Sequence, residues 1–302
     1  MTLTAGTLLI ISALTHAGWN LFSKKDHPST ASFLLANIFG TLLTVPFLVY
    51  GGEQTLEMIL LLWPWIFLTG FFQALYFLGL AWAYKRGELS VAYPLARSIP
   101  SFLVTIMVFL FGKGERTGIA ALIGMTFLIA GCFLIPLKSF RDFSIGRYGN
   151  VAVIAALVAA VGTTGYSLVD DHVLALVWVN SSGAINENAL LAFYYIGLTG
   201  FTTVFWQGLL VIRNIEERSL LRLKAAHPLS SFIKGAGIFL TYSLVLISMG
   251  YVTNVSYVVA FRQVSIPIGL IMGILLLKER ACGPKITAVI LLFTGVVLVG
   301  LG

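Results

Sequence analysis

The sequence predicts an all-α integral membrane protein of ten transmembrane helices, arranged as two five-helix inverted repeats. Three observations carry that expectation. Of 302 residues, 58% are hydrophobic and only 10% charged, and the mean hydropathy is +0.95. A soluble domain of this length needs far more charge to cover its surface, so the bilayer is the expected solvent. Apolar stretches near the roughly 20 residues that a spanning helix requires fill the chain, divided by short polar links. Lastly, the second half echoes the first. Transmembrane β-strands would read as ~10-residue alternating segments, and runs such as Val151–Gly162 do not alternate.

Helices are expected near 3–23, 30–50, 58–84, 88–111, 117–137, 149–171, 187–212, 229–250, 254–277 and 283–301. The first apolar stretch, Leu3–Phe22, lacks a basic leader and a small-residue cleavage site, so it reads as a retained span. An even number of crossings leaves both termini on one side. Orientation follows from Lys and Arg, which accumulate on the cytoplasmic side. The links after the odd-numbered spans carry Lys24, Lys25, Lys85, Arg86, Lys138, Arg141, Arg147, Arg213, Arg218, Arg222, Lys224, Lys278, Arg280 and Lys285, with Lys234 early in the eighth span. The opposite side has only Lys113 and Arg116. Both termini are therefore expected to face the periplasm of a bacterial inner membrane. The same placement explains the net charge of +7 without nucleic acid.

A shift of 164 residues exposes the repeat. Val91, Tyr93, Ala96, Ser101, Glu115, Arg116 and Gly131 fall on Val255, Tyr257, Ala260, Ser265, Glu279, Arg280 and Gly295 without a gap. Gly18-Trp19-Asn20 is echoed more weakly by Gly165-Tyr166-Ser167. The halves are expected at 1–140 and 141–302. Five spans is an odd number, so the two must insert with opposite orientations. In transporters such repeats place a solute site at their interface near the midplane.

The same segments resemble a known family. The run Gly87-Glu88-Leu89-Ser90-Val91-Ala92-Tyr93-Pro94, Pro100, and Gly112-Lys113-Gly114-Glu115-Arg116 is similar to the first EamA-type repeat of the drug/metabolite transporter superfamily. Leu277-Lys278-Glu279-Arg280 with Gly295-Val296-Val297-Leu298 is similar to the second. Nearly the whole chain takes part, and within the superfamily it looks closest to YddG-type bacterial exporters of aromatic and other amino acids. The resemblance implies a ten-helix secondary transporter, although the motifs belong to the scaffold and fold alone does not establish a solute.

Ionisable residues within spans are the sharpest functional clue, because one at the bilayer centre costs about 2.5–3.5 kcal/mol on insertion scales. Arg97 lies about ten residues into the fourth helix and Arg262 about nine into the ninth, near-equivalents across the repeat. Either could face a cavity and grip a solute carboxylate with its planar fork. Either could instead bond backbone carbonyls freed by Pro94, Pro100 and Pro267. All twelve acids are expected in links or at helix ends, Asp170 and Asp171 included. Exporters of lipophilic cations need a buried carboxylate, so arginine without acid favours an anionic or zwitterionic solute.

Other candidate solute contacts are polar or aromatic residues on helix faces. The first helix offers Ser12, His16, Trp19, Asn20 and Ser23 at three- and four-residue spacing. His16 is the one buried group able to titrate near neutral pH; it could couple transport to protons, but a hydrogen-bonded packing histidine is the better-supported reading. Gln73, Tyr76 and Tyr84 form a stripe on the third helix; Tyr93 and Ser101 flank Arg97; Thr163, Tyr166, Ser167 and Asp170 share spacing on the sixth. Tyr242, Tyr257 and Gln263 complete the set. The cavity is thus expected between helices 1, 3, 4, 6, 8 and 9, with 5 and 10 as supports. Glu115-Arg116 and Glu279-Arg280 are expected either to form structural pairs or to open the span that follows each, where acids suit the positive dipole end.

The function expected is secondary export of neutral, zwitterionic amino acids or related small carboxylates by alternating access. A transporter of phosphorylated or nucleotide-linked metabolites would need a denser basic site. A membrane-embedded hydrolase would need buried Ser-His or paired acids, whereas His27, His172 and His227 fall in links. No Walker-type loop or metal-binding pattern is present, and Cys132 and Cys282 imply no disulfide framework. The chain is therefore read as no enzyme, without cofactor, partnered by a small solute and the bilayer, as a monomer or homodimer.

Overall fold

A computed structural model describes residues 3–110, 119–141, 149–179, 185–249 and 262–301. Among them lie eleven helices and no strand. They are α1 Leu3–Lys25, α2 Thr30–Leu42, α3 Val45–Arg86, α4 Leu89–Leu110, α5 Ile119–Leu134, α6 Val151–Val179, α7 Ile185–Arg213, α8 Ile215–Ala226, α9 Leu229–Met249, α10 Ser265–Leu277 and α11 Gly283–Leu301. Four are long and apolar enough to cross a membrane: α1, α3, α6 over Val151–Asp170, and α7 over Phe193–Arg213. Five others contain shorter apolar stretches.

Leucines, isoleucines and tryptophans point outward along these helices, as at Leu60, Leu61, Trp63, Leu122, Ile154, Leu275 and Ile290. In water such a belt would be an aggregation surface; against acyl chains it needs no partner. Helices suit that solvent because their backbone groups bond within the segment.

Local chemistry sets several boundaries. Ser29 caps α2 by accepting from Ser32 N at 3.0 Å. The break between α2 and α3 is sealed by Thr44, whose hydroxyl donates to Thr41 O at 2.6 Å. At Gly52 the helix kinks (φ 47°, ψ −114°), through a backbone state that side chains disfavour. The span expected at 30–50 is therefore α2 plus the opening turns of α3. The third begins straight after Gly52, so the link anticipated at 51–57 is helical.

The stretch after α7, expected as a link, is helix α8. Asn214 caps it by accepting from Glu216 N and Glu217 N, those two acids occupy its first turn, and Lys224 its last. Glu279 also differs from expectation. Its carboxylate accepts from Leu89 N and Ser90 N at 2.7 and 2.8 Å, capping α4 from across the bundle rather than opening the helix after it. Lys278 in the left-handed conformation (φ 55°) turns the chain at the end of α10 and so aims Glu279 there. Glu115 and Arg116 lie outside the described residues.

α3 packs on α6 and α7, α9 on α1 and α2, α6 on α4, α10 on α1 and α4, α2 on α7, and α5 on α11. Small residues permit the closest approaches. A Cβ on Gly124 would stand 2.7 Å from Gly295 O, and one on Gly295 2.8 Å from Gly124 O. Among the described residues, none of α5 or α11 lines the cavity described below.

Candidate solute site

α1 brings His16, Trp19 and Asn20 onto one face, as a three- and four-residue spacing dictates. Tyr84 on α3 donates its hydroxyl to Asn20 Oδ1 at 2.7 Å. The Asn20 amide group is thereby turned so that Nδ2 reaches His16 O at 2.7 Å and His16 Nδ1 at 2.8 Å. With Nδ1 an acceptor, the imidazole is neutral and its proton sits on Nε2. The ring stacks on Trp19 (5.1 Å, 10°) and meets Tyr93 edge-on at 5.9 Å. Asn20 and Tyr93 thus stand behind the site and position His16.

Arg97 rises from α4, between Pro94 and Pro100. Its Nη2 donates to Arg262 O at 3.3 Å, whereas its Nε is buried without a hydrogen-bond partner. The carbonyl of Arg262 is free because the helix tightens there. Ile266 N bonds Gln263 O instead, and Arg262 O takes the Ser265 hydroxyl at 2.9 Å. Part of the backbone-bonding alternative for Arg97 is therefore realised, yet the guanidinium is left incompletely satisfied. No carboxylate pairs with Arg97 or Arg262 among the described residues.

A cavity of about 130 Å³ lies between these groups, room for several waters or one small solute. Eight of the expected contacts line it: His16, Trp19, Gln73, Tyr76, Arg97, Tyr166, Tyr242 and Arg262. Tyr166 meets Tyr76 edge-on at 6.1 Å, and Gln73 is fixed by the Thr203 hydroxyl at 2.8 Å. Tyr257 and the side chain of Ser101 lie outside the described residues. Walls also come from α2 and α7, through Asn37, Thr41, Tyr195 and Thr199, which the sequence reading omitted. These neutral hydroxyl and amide groups are common in membrane-helix packing, so nothing in their spacing singled them out.

Asp170 corrects the acid inventory. α6 continues to Val179, so Asp170 is inside a helix, and it is buried, with 5% of its surface exposed. It lines the same cavity as the arginines. Thr69 and Tyr195 donate to its Oδ1 at 2.8 and 2.7 Å and stand 3.0 Å from each other. The cavity therefore has a basic wall, from α4 and the segment entering α10, and an acidic, hydroxyl-rich wall from α3, α6 and α7.

Residues 3–137 match the EamA-like transporter family, which points to a membrane transporter of small solutes. The matched segment includes α1 to α5 and with them His16, Trp19, Gln73, Tyr76 and Arg97. No curated protein matches the chain. A crystal structure of a protein 17% identical in sequence superposes with a TM-score of 0.50, covering 97% of this chain and 94% of that one. At that identity the likeness concerns the fold alone, and it extends over nearly the whole chain.

Proposed function

We propose that the protein is a secondary transporter exporting amino acids, or related small carboxylates, across a bacterial inner membrane by alternating access. The observation that carries this reading is the pair Arg97 and Arg262, lining a midspan cavity without an acidic partner among the described residues. A desolvated guanidinium with open donors is matched by a carboxylate, which it can engage in fork geometry. Around it Trp19, Tyr76, Tyr166 and Tyr242 offer apolar and aromatic surface for a side chain.

The helix packing supports an inverted repeat. Exchanging α1 with α6, α2 with α7, α3 with α9, α4 with α10 and α5 with α11 turns the α3–α6 contact into α9–α1. The same exchange turns α3–α7 into α9–α2 and α4–α6 into α10–α1, while α4–α10, α2–α7 and α5–α11 map onto themselves. A cavity on that axis can be opened to either side by rocking the halves.

The test is flux of labelled amino acids, organic anions and lipophilic cations through purified protein in liposomes. Amino acid uptake is expected, with at least a tenfold loss in Arg97→Ala and Arg262→Ala, since hydrogen bonds to charged groups contribute about 1.5–3 kcal/mol. Transport of lipophilic cations without amino acids would contradict the reading.

A further inference from the structure

We infer that Asp170 is the subsite for a cationic group of the solute, so that the cavity selects molecules bearing both a carboxylate and an ammonium. The inference rests on the reading of Arg97 and Arg262 as the carboxylate subsite and adds a second, opposite requirement.

Asp170 is 95% buried, and both hydroxyls that reach it, Thr69 and Tyr195, donate to the same oxygen, Oδ1. Two donors converging on one oxygen suit a carboxylate, and Oδ2 has no bond from any described residue. Among the described residues no lysine or arginine forms an ion pair with it. Burying a charge in that condition is costly unless something compensates it. The other wall presents the mirror problem, with Arg97 and Arg262 unpaired by any described acid. The two walls do not neutralise one another directly, because each side chain is held by its own neighbours: Asp170 by α3 and α7, Arg97 by the carbonyl before α10.

A solute carrying one charge of each sign satisfies both walls at once. Tyr166, one helical turn before Asp170 on α6, also lines the cavity, and its edge-on contact with Tyr76 leaves aromatic surface between the two charged subsites. A simple carboxylate would leave Asp170 uncompensated and add repulsion. An amine would leave the arginines so. Discrimination by an unpaired charge of this kind is how sites reject near-isosteres.

The experiment is uptake by wild-type protein in liposomes of leucine and lysine, beside 4-methylpentanoate and isopentylamine, repeated with Asp170→Asn. Asparagine keeps the shape and an acceptor oxygen for Thr69 and Tyr195, and elution as a single folded species checks the variant. Wild-type protein should take up the two amino acids at least tenfold faster than 4-methylpentanoate or isopentylamine. Asp170→Asn should shrink the preference over 4-methylpentanoate to within about threefold. Wild-type uptake of 4-methylpentanoate at the rate of leucine overturns the inference while leaving the arginine reading standing, and needs no variant to fold. An unchanged preference in folded Asp170→Asn also overturns it, including the case where only the pH dependence moves and Asp170 serves a proton instead. Isopentylamine transported as well as leucine, or no transport of any probe, sinks the arginine reading and this inference with it.

Discussion

At the scale of single residues, the site is built from polar groups that the protein positions and leaves partly unsatisfied. The chain from Tyr84 through Asn20 to His16 fixes a neutral imidazole beside Trp19. Tyr84→Phe removes the donor to buried Asn20 Oδ1, and an orphaned acceptor costs about 1–3 kcal/mol. A fall in the thermal midpoint in detergent, with secondary structure retained, is the expected result; an unchanged midpoint would show that the chain does not hold α1 to α3. Asp26 offers a pH test outside the spans. Burial raises its carboxyl, but bonds from Lys224, Lys234 and Ser230 outweigh this and hold it at about 2, below the ordinary 3.8. A depressed folded-state value means stability that is present above 3.8 and lost as pH falls toward 2. Asp26→Asn should therefore unfold more easily than the wild type at neutral pH, and the gap should close across that window in detergent melts.

The sequence made the arginines visible because a guanidinium in an apolar run stands out. Asp170 was misread for the converse reason: hydropathy ends the sixth span near 171, whereas α6 runs on to Val179 and buries the acid against Thr69 and Tyr195. Asn37, Thr41 and Thr199 gave no signal, since such neutral groups are cheap within membranes.

At the scale of elements, close packing is governed by small residues. α5 and α11 meet where Gly124 and Gly295 face each other, each leaving less than 3 Å for an added Cβ against the other's carbonyl. Backbone cannot swing aside as a side-chain tip can. Gly295→Leu should separate the pair and destabilise the protein by about 1–3 kcal/mol, the usual cost of overpacking. Melting in detergent would check this, and an unaltered midpoint would mean that the two helices do not rely on this contact. The sequence marked Gly295 through its match with Gly131, but its facing partner is Gly124. A linear repeat shows which positions correspond, not which ones touch. Gly52 and α8 show the same division. Asn214 and the acids after it carry a helix-start signal, but α8 is short and polar, so hydropathy does not mark it.

At the scale of the molecule, the exchange of helix contacts and the charge census both support the inverted repeat proposed above. The internal sequence echo and the charge bias are both written in residue identity, and the inverted repeat proposed above builds on them. What the fold adds is the pairing of α3 with α6 and α7, and of α9 with α1 and α2, which brings seven helices and the segment entering α10 around one cavity that holds both the arginines and Asp170. Long-range pairing of similar apolar helices leaves no trace in a single sequence.

The most direct test of the account asks whether solute passes through that cavity. Ile196 and Ile238 line it and are neither fully buried nor fully exposed. After Cys132 and Cys282 are replaced, Ile196→Cys or Ile238→Cys would be treated with a small methanethiosulfonate reagent in transport-competent liposomes. The account predicts that labelling stops uptake of labelled leucine and that excess unlabelled leucine slows the labelling. Labelling that leaves uptake intact, or that proceeds at the same rate with and without leucine, would contradict it.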